Sequence, residues 1–328
     1  MATKVRILPS GHEFVSEGNS TLLEAGLHAG LALDYACSNG NCGQCLAKII
    51  SGEVQKVRHH DFIISESQRA NSNVLMCSNS ASTDVTLEAS EALSSSEIPQ
   101  QQITARVRNI EIVNDNVALL HLKTPRTNRL RFLAGQHVRL GGNNMPKGTQ
   151  PISSCPCDDM NVHFQVPAIP GDELSDYVFK QLKKGDAVEI NGPGGDFVLD
   201  ENSPRSLVFI AQNTGFGPIK SLIEHAMALE VAGSMQLVWI THSGEDRYQD
   251  NLCRSWQDAF DNFFYVPVDN DGDDVGLSAE SILELLDIKL DELPGYDYYV
   301  AVDKALLDTC LEILPRDRLK TMQLGGVT

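Results

Sequence analysis

The chain has 328 residues, 42% hydrophobic and 21% charged, with a formal net charge of −18. This length exceeds one ordinary domain and suits two or three, and the composition is that of a globular protein. The negative field disfavours nucleic acid and anionic lipid as partners. Residues 204–328 alone carry 21 acidic against 9 basic side chains, which favours a basic protein partner or simply keeps the chain in solution. The opening MATKVRILPSG lacks the basic flank and apolar core of a secretory signal. No stretch approaches the roughly 18 uninterrupted apolar residues of a membrane span, so a cytoplasmic location is expected.

Residues 3–8 and 12–16 alternate apolar and polar about Pro9-Ser10-Gly11, the pattern of a β-hairpin. Thr21 and Glu24 form a capping box opening a short helix with Leu22, Leu23, Ala25 and Leu27. After a cysteine-rich loop, Leu46–Ile50 and Val85–Leu87 are expected as strands, giving a small α+β domain over residues 1–92. Residues 93–102, rich in serine and glutamine, read as a linker. Evenly spaced short strands (Ile103–Arg108, Val117–Leu122, Gln136–Leu140, Val162–Val166, Ala187–Ile190) predict an antiparallel β-barrel over 103–203. From residue 204 the rhythm becomes strand then helix. Leu207–Ala211, Ile219–Leu229 and Met235–Thr241 predict an α/β doubly wound parallel sheet to residue 328.

Cys37, Cys42 and Cys45 stand as C-x4-C-x2-C, and Cys77 supplies a fourth thiolate. That spacing belongs to a plant-type 2Fe–2S cluster. Three thiolates from one loop must converge on two irons. Gly40 and Gly43 let the backbone curl and aim N–H groups at sulfur. Structural zinc prefers two separated C-x2-C pairs, and this loop has one. The other cysteines (Cys155, Cys157, Cys253, Cys310) are most simply free thiols in a reducing compartment. Cys155-Pro156-Cys157 is open to two readings, an incidental pair or a redox-active one.

Domain order and motifs resemble the three-domain ferredoxin–NAD(P)H reductase components of bacterial oxygenases. Phe132-Leu133-Ala134-Gly135-Gln136-His137-Val138 resembles the family's F-x-x-G-Q-Y-V strand, and Gly192–Leu199 resembles its G-P-x-G-x-F-x-L turn. The resemblance implies a β-grasp ferredoxin domain, an FAD-binding barrel and a nucleotide-binding domain. Gln150-Pro151-Ile152-Ser153 occupies the flavin motif R-x-Y-S, which makes Ser153 the residue at flavin N5 but leaves no arginine for the diphosphate. If FAD is bound, Arg139 or Lys147 is expected to replace that cation. Gly171 and Ser175 stand in the diphosphate motif P-G-G-x-x-S, where Asp172 and Glu173 add charge of the wrong sign. Thr214, Gly215 and Pro218 keep the core of the nicotinamide-nucleotide motif G-G-T-G-x-A-P, and Ser221 also fits it. The two preceding glycines are replaced by Gln212 and Asn213. Ile240 and His242 replace the glycine and arginine of Y-G-x-R, and Val302-Asp303 replaces the Cys-Gly of C-G-P-P.

The resemblance therefore implies an NADH-dependent iron–sulfur flavoprotein that passes electrons through FAD and the cluster to an oxygenase or hydroxylase component. A second expectation is a ferredoxin-type docking subunit whose two later domains have lost FAD and NADH. Two further patterns read as surface features. Asp269–Asp274 imitates a calcium loop but has its glycine misplaced, and adjacent His59 and His60 point apart.

Overall fold

The computed structural model describes residues 2–230, 233–242, 247–270 and 277–324. The first unit contains β1 (Ala2–Leu8), β2 (Glu13–Glu17), α1 (Leu22–His28), β3 (Leu46–Ser51), β4 (Val54–Lys56), α2 (Glu66–Ala70), β5 (Asn73–Leu75), β6 (Asn79–Ala81) and β7 (Val85–Glu88). Its main sheet runs β2-β1-β7-β3-β5, with β1 and β7 parallel and the remaining pairs antiparallel. Helix α1 begins with the predicted capping box and buries Leu22, Leu23 and Leu27 against this sheet. The strict alternation of β1, with Val5 and Ile7 buried, sets which face meets the helix.

The second unit is an antiparallel barrel of β8 (Gln101–Val113), β9 (Val117–Lys123), β10 (His137–Gly141), β11 (Gly148–Pro151), β12 (Asn161–Pro167) and β13 (Ala187–Gly194), with α3 (Glu173–Lys180) between the last two. The hydrogen-bonded order is β11-β10-β13-β8-β9-β12. A bond from Ser153 N–H to His163 O, 2.8 Å, brings the edges β11 and β12 together, leaving a seam there. The stretch expected as a linker has a 3-10 turn at Ser95–Glu97. It buries Ile98 beside Ala92 and Leu133, so it lies packed on the protein.

The third unit holds β14 (Ser206–Gln212), α4 (Phe216–Ala228), β15 (Met235–Thr241), α5 (Asp250–Ala259), β16 (Phe263–Asp269), α6 (Ala279–Leu286), β17 (Tyr296–Val302), α7 (Lys304–Ile313) and β18 (Leu319–Gln323). The sheet is parallel in the order β16-β15-β14-β17-β18. Its central strand β14 is covered on both faces, by the α4 and α5 side and by the α6 and α7 side. Double coverage explains why its sequence is an unbroken apolar run. The order reverses between β14 and β17, which places a crevice at their C-terminal ends. Among the described residues no helix is long and apolar enough to cross a membrane.

Candidate functional site

The Cys37–Cys45 loop has no regular secondary structure and is shaped by its glycines. Gly40 and Gly43 have φ of +85° and +82°, a region L side chains rarely enter. A Cβ on Gly43 would lie 2.2 Å from the Phe62 ring, and one on Gly40 would lie 2.5 Å from His60 Cβ. The loop is thus pressed against residues 60–62. Backbone N–H groups of Asn41 and Cys42 each point at Cys37 Sγ at 3.4 Å, and Gln44 N–H points at Cys42 Sγ at 3.5 Å. Cys37, Cys45 and Cys77 are buried and Cys42 is exposed at the rim. The Cys45 thiol lies against Cys77 and pulls the Cys77 thiol down to about 6 while its own rises. Four cysteines with N–H donors aimed at sulfur fit a 2Fe–2S cluster. Among the described residues no group of three or more His, Cys, Asp or Glu side chains is arranged to hold a metal ion. A two-iron cluster spreads its four thiolates over two metals.

The loop's shoulder is fastened to the barrel. Tyr35 O–H donates to Asp159 at 2.7 Å, and Arg129 donates to the same carboxylate at 2.9 Å. Arg131 pairs with Asp34, which also accepts from Gln44 at 2.8 Å. Burial and the adjacent Asp159 charge hold the Tyr35 phenol well above its ordinary pKa. The residues flanking the cluster loop therefore reach the barrel directly.

At the barrel seam, Ile152 is fully buried in the barrel core and Ser153 is nearly so. In the β10–β11 register Gln150 faces the same side as Val138, whereas Arg139 faces the side of Thr149 and Pro151. Arg139 thus lies on the face opposite Gln150, and Lys147 is exposed at the turn before β11. The cation nearest Ser153 is Lys220 of α4, which is largely buried. Its Nζ donates to Ser153 O at 3.1 Å and to Glu224 at 2.5 Å. Sequence reasoning passed over Lys220. Its one signal was a Lys and a Glu four apart on an otherwise apolar helix face. Asp172 is the N-cap of α3 and accepts from Ser175 N–H at 2.7 Å, which accounts for a carboxylate where the resemblance expected glycine. Ser175 Oγ donates to Pro167 O and accepts from Ile169 N–H. Gly171, with φ of +83° and nothing within 4 Å of a built Cβ, leaves its backbone open to a ligand. The exposed Gly171 fits a flavin diphosphate beside this seam, whereas Ile152, expected to cover the flavin ring, faces the barrel core instead.

At the crevice of the third unit, a 3-10 turn over Asn213–Gly215 carries Thr214 and leads into α4, with Pro218 buried in its first turn. A Cβ on Gly215 would lie 2.1 Å from Ala301 O, so only glycine lets the turn pass β17 this closely. Two of the residues that replace family glycines, Gln212 and Asp303, meet each other. Gln212 Nε2 donates to Asp303 at 2.8 Å, and Asp303 N–H donates to Gln212 Oε1 at 2.7 Å. Asp303 also caps α7 through Leu306 N–H at 2.9 Å. Trp239 stacks on Phe216 at 4.0 Å, and its indole N–H donates to Asn213 O. Ser221 does not line this crevice. It is fully buried, donating to Ser154 O at 2.7 Å and accepting from Gly135 N–H, and so joins α4 to the barrel. Arg247, five residues beyond the position expected to be arginine, pairs with Asp269 and donates to Thr241 Oγ1. The remainder of the segment near His242 (Ser243–Asp246) and of the calcium-like loop (Asp271–Asp274) lies outside the described residues.

Residues 5–81 match the 2Fe-2S iron-sulfur cluster binding domain, and residues 104–199 match the oxidoreductase FAD-binding domain. The chain is 32% identical to the CDP-6-deoxy-L-threo-D-glycero-4-hexulose-3-dehydrase reductase of Yersinia pseudotuberculosis, covering 87% of this chain and 86% of that one. It belongs to the three-domain ferredoxin–NAD(P)H reductase family. A terephthalate 1,2-dioxygenase reductase component of Comamonas is 26% identical over 86% of this chain and 83% of its own. The Amycolatopsis cytochrome P450 reductase GcoB shares the fold, with a TM-score of 0.62, 23% identity and 98% coverage of both chains. Within this reductase family the barrel is the FAD-binding module and the N-terminal unit the iron–sulfur module.

Proposed function

We propose that the chain is an electron-transfer reductase, taking electrons from NADH through FAD to a 2Fe–2S cluster and on to a protein acceptor. Cys37, Cys42, Cys45 and Cys77 hold the cluster. Gln150, Pro151 and Ser153 border the flavin, with Ser153 at N5, while Ile152 packs the barrel core behind them, and Gly171 and Ser175 shape the diphosphate end. Thr214, Gly215 and Pro218 receive the nicotinamide nucleotide. When bound, FAD converts a two-electron donor into single-electron steps. The chain's own residues position and shield. Lys220, ion-paired with Glu224, holds the Ser153 carbonyl, and Asp159 holds Tyr35 and with it the cluster loop. The observation that carries this reading is the cluster loop fastened onto the FAD-family barrel within one chain.

The acceptor is an oxygenase or hydroxylase component, as named for the terephthalate relative. The Yersinia relative's name makes a sugar-nucleotide dehydrase the alternative acceptor. The protein works in the cytoplasm, where the free thiols Cys253 and Cys310 stay reduced. A second reading, a docking subunit with the cluster as its one redox centre, draws support from the Gln212–Asp303 bonds across the nucleotide crevice. The visible spectrum before and after anaerobic NADH separates the two. Flavin and cluster bands both bleached by NADH are expected. A cluster spectrum without flavin, unmoved by NADH and bleached by dithionite, overturns the reductase.

A further inference from the structure

We propose that Cys155 and Cys157 are a reversible redox pair, reduced by a dithiol reductant, that governs how firmly the iron–sulfur unit is held against the barrel. The two cysteines, expected as free thiols, are instead disulfide-bonded, with Cα atoms 5.2 Å apart and one residue between them. A bond this local closes a very small loop and constrains the turn at residues 155–157 far more than the chain as a whole.

That turn touches all three units. Cys155 N–H donates to Glu224 of α4 at 3.2 Å, and Glu224 is the partner of Lys220 beneath Ser153. Pro156 lines a cleft with Leu27, Gly30 and Leu31 of the first unit and with Arg131 of the barrel. Asp158 N–H returns to Cys155 O, and Asp159 then receives both Tyr35 and Arg129. No strand or helix covers residues 152–160; hydrogen bonds such as Ser221 Oγ–H to Ser154 O and Thr124 Oγ1–H to Asp159 O hold the loop's ends, and the disulfide closes the turn between them. Opening it loosens the turn that leads into Asp158 and the Asp159 anchor, whose own backbone stays bonded to Thr124.

The pair is also built for exchange. Cys155 is buried and Cys157 is half-exposed, so an incoming thiolate reaches the Cys157 sulfur first. Attack forms a mixed disulfide on Cys157 and breaks the Cys155–Cys157 bond, and Cys155 leaves as a thiolate that takes up a proton. The second thiol of the reductant then displaces Cys157, which is protonated in turn, and departs as its own disulfide. Two electrons and two protons enter the protein, and the dithiol is oxidised. In a reducing compartment a disulfide that forms at all is characteristically catalytic or redox-sensing.

The test uses the full-length holoprotein prepared anaerobically. It is incubated in graded ratios of reduced to oxidised dithiothreitol, denatured, alkylated and read by mass spectrometry on the peptide holding both cysteines. That peptide is separate from those holding the cluster ligands. A reversible two-thiol transition is expected, with both sites alkylated at the reduced end and neither at the oxidised end. Hydrogen exchange is measured on the same samples. Amides around residues 33–35 and 128–133 should exchange roughly threefold or more faster when the pair is reduced, and a Cys155→Ser/Cys157→Ser variant should match the reduced protein in both conditions. Full alkylation at every ratio, or a bond that resists dithiothreitol in the folded protein, overturns the redox role. Equal exchange in the two states overturns the control of docking.

Discussion

Replacing Asp159 tests whether the cluster loop is held by one carboxylate. Its side chain is 14% exposed and that of Arg129 is 11% exposed, so the pair is nearly buried. Removing one partner of a buried pair costs about 3–5 kcal/mol, and the residual exposure brings this to about 2–3 kcal/mol. Tyr35, itself buried, would lose its acceptor, at about 1–3 kcal/mol. The two losses share one carboxylate and do not simply add, so Asp159→Ala should weaken docking by about 3 kcal/mol. That corresponds to roughly two orders of magnitude in the docked-to-undocked ratio. Asp159→Asn keeps an acceptor for Tyr35 and should lose about half as much, and Tyr35→Phe should lose about 1 kcal/mol. Arg131 and Asp34 still tether the unit, so the protein should fold. The assay is hydrogen exchange across residues 128–133 together with the rate of cluster bleaching by NADH, against ferricyanide reduction as a flavin-level control. Asp159→Ala should raise exchange and slow bleaching while leaving ferricyanide reduction unchanged. Exchange and bleaching both within twofold of the wild type would refute the anchor.

His163 gives a pH prediction. Burial, with His121 and Lys220 nearby, lowers its pKa to about 4 from an ordinary 6.5. The native state therefore keeps it neutral while the unfolded chain binds a proton below pH 6.5, so stability falls as pH drops from about 6.5 to about 4. The loss should reach about 2–3 kcal/mol after allowing for the ring's partial exposure, and His163→Gln should flatten urea midpoints measured between pH 7.5 and 5. At the nucleotide crevice, Gln212→Gly/Asp303→Gly removes two mutual hydrogen bonds and the α7 cap, costing about 2–3 kcal/mol. By opening the mouth it should tighten NADH several-fold in an equilibrium titration. Unchanged or weaker NADH binding would mean that the pair does not guard the crevice.

Much of this protein is written in local patterns. The C-x4-C-x2-C spacing, the Thr21–Glu24 capping box, the alternation of β1 and the apolar run of β14 each act over a few residues, so sequence alone reveals them. Helix α3 escaped notice because its eight residues carry a carboxylate cap inside what read as a diphosphate motif. Helix α5 escaped because its face is largely polar, with Cys253 and Trp256 its buried residues.

What tertiary structure decided concerns partners far apart in the chain. Sequence shows that several crevice glycines are replaced, but not that Gln212 and Asp303, 91 residues apart, satisfy each other. It shows Cys155 and Cys157, but not that their turn meets Glu224 on one side and leads to the anchor of Tyr35 on the other. It shows that an arginine is missing at Gln150, but not that the buried cation by Ser153 is Lys220, 67 residues later. Propensity, capping and ligand spacing are short-range and sit in the order of residues. Charge pairing and hydrogen-bond satisfaction are set by whatever the folded chain brings within about 3 Å, which no spacing along the sequence encodes.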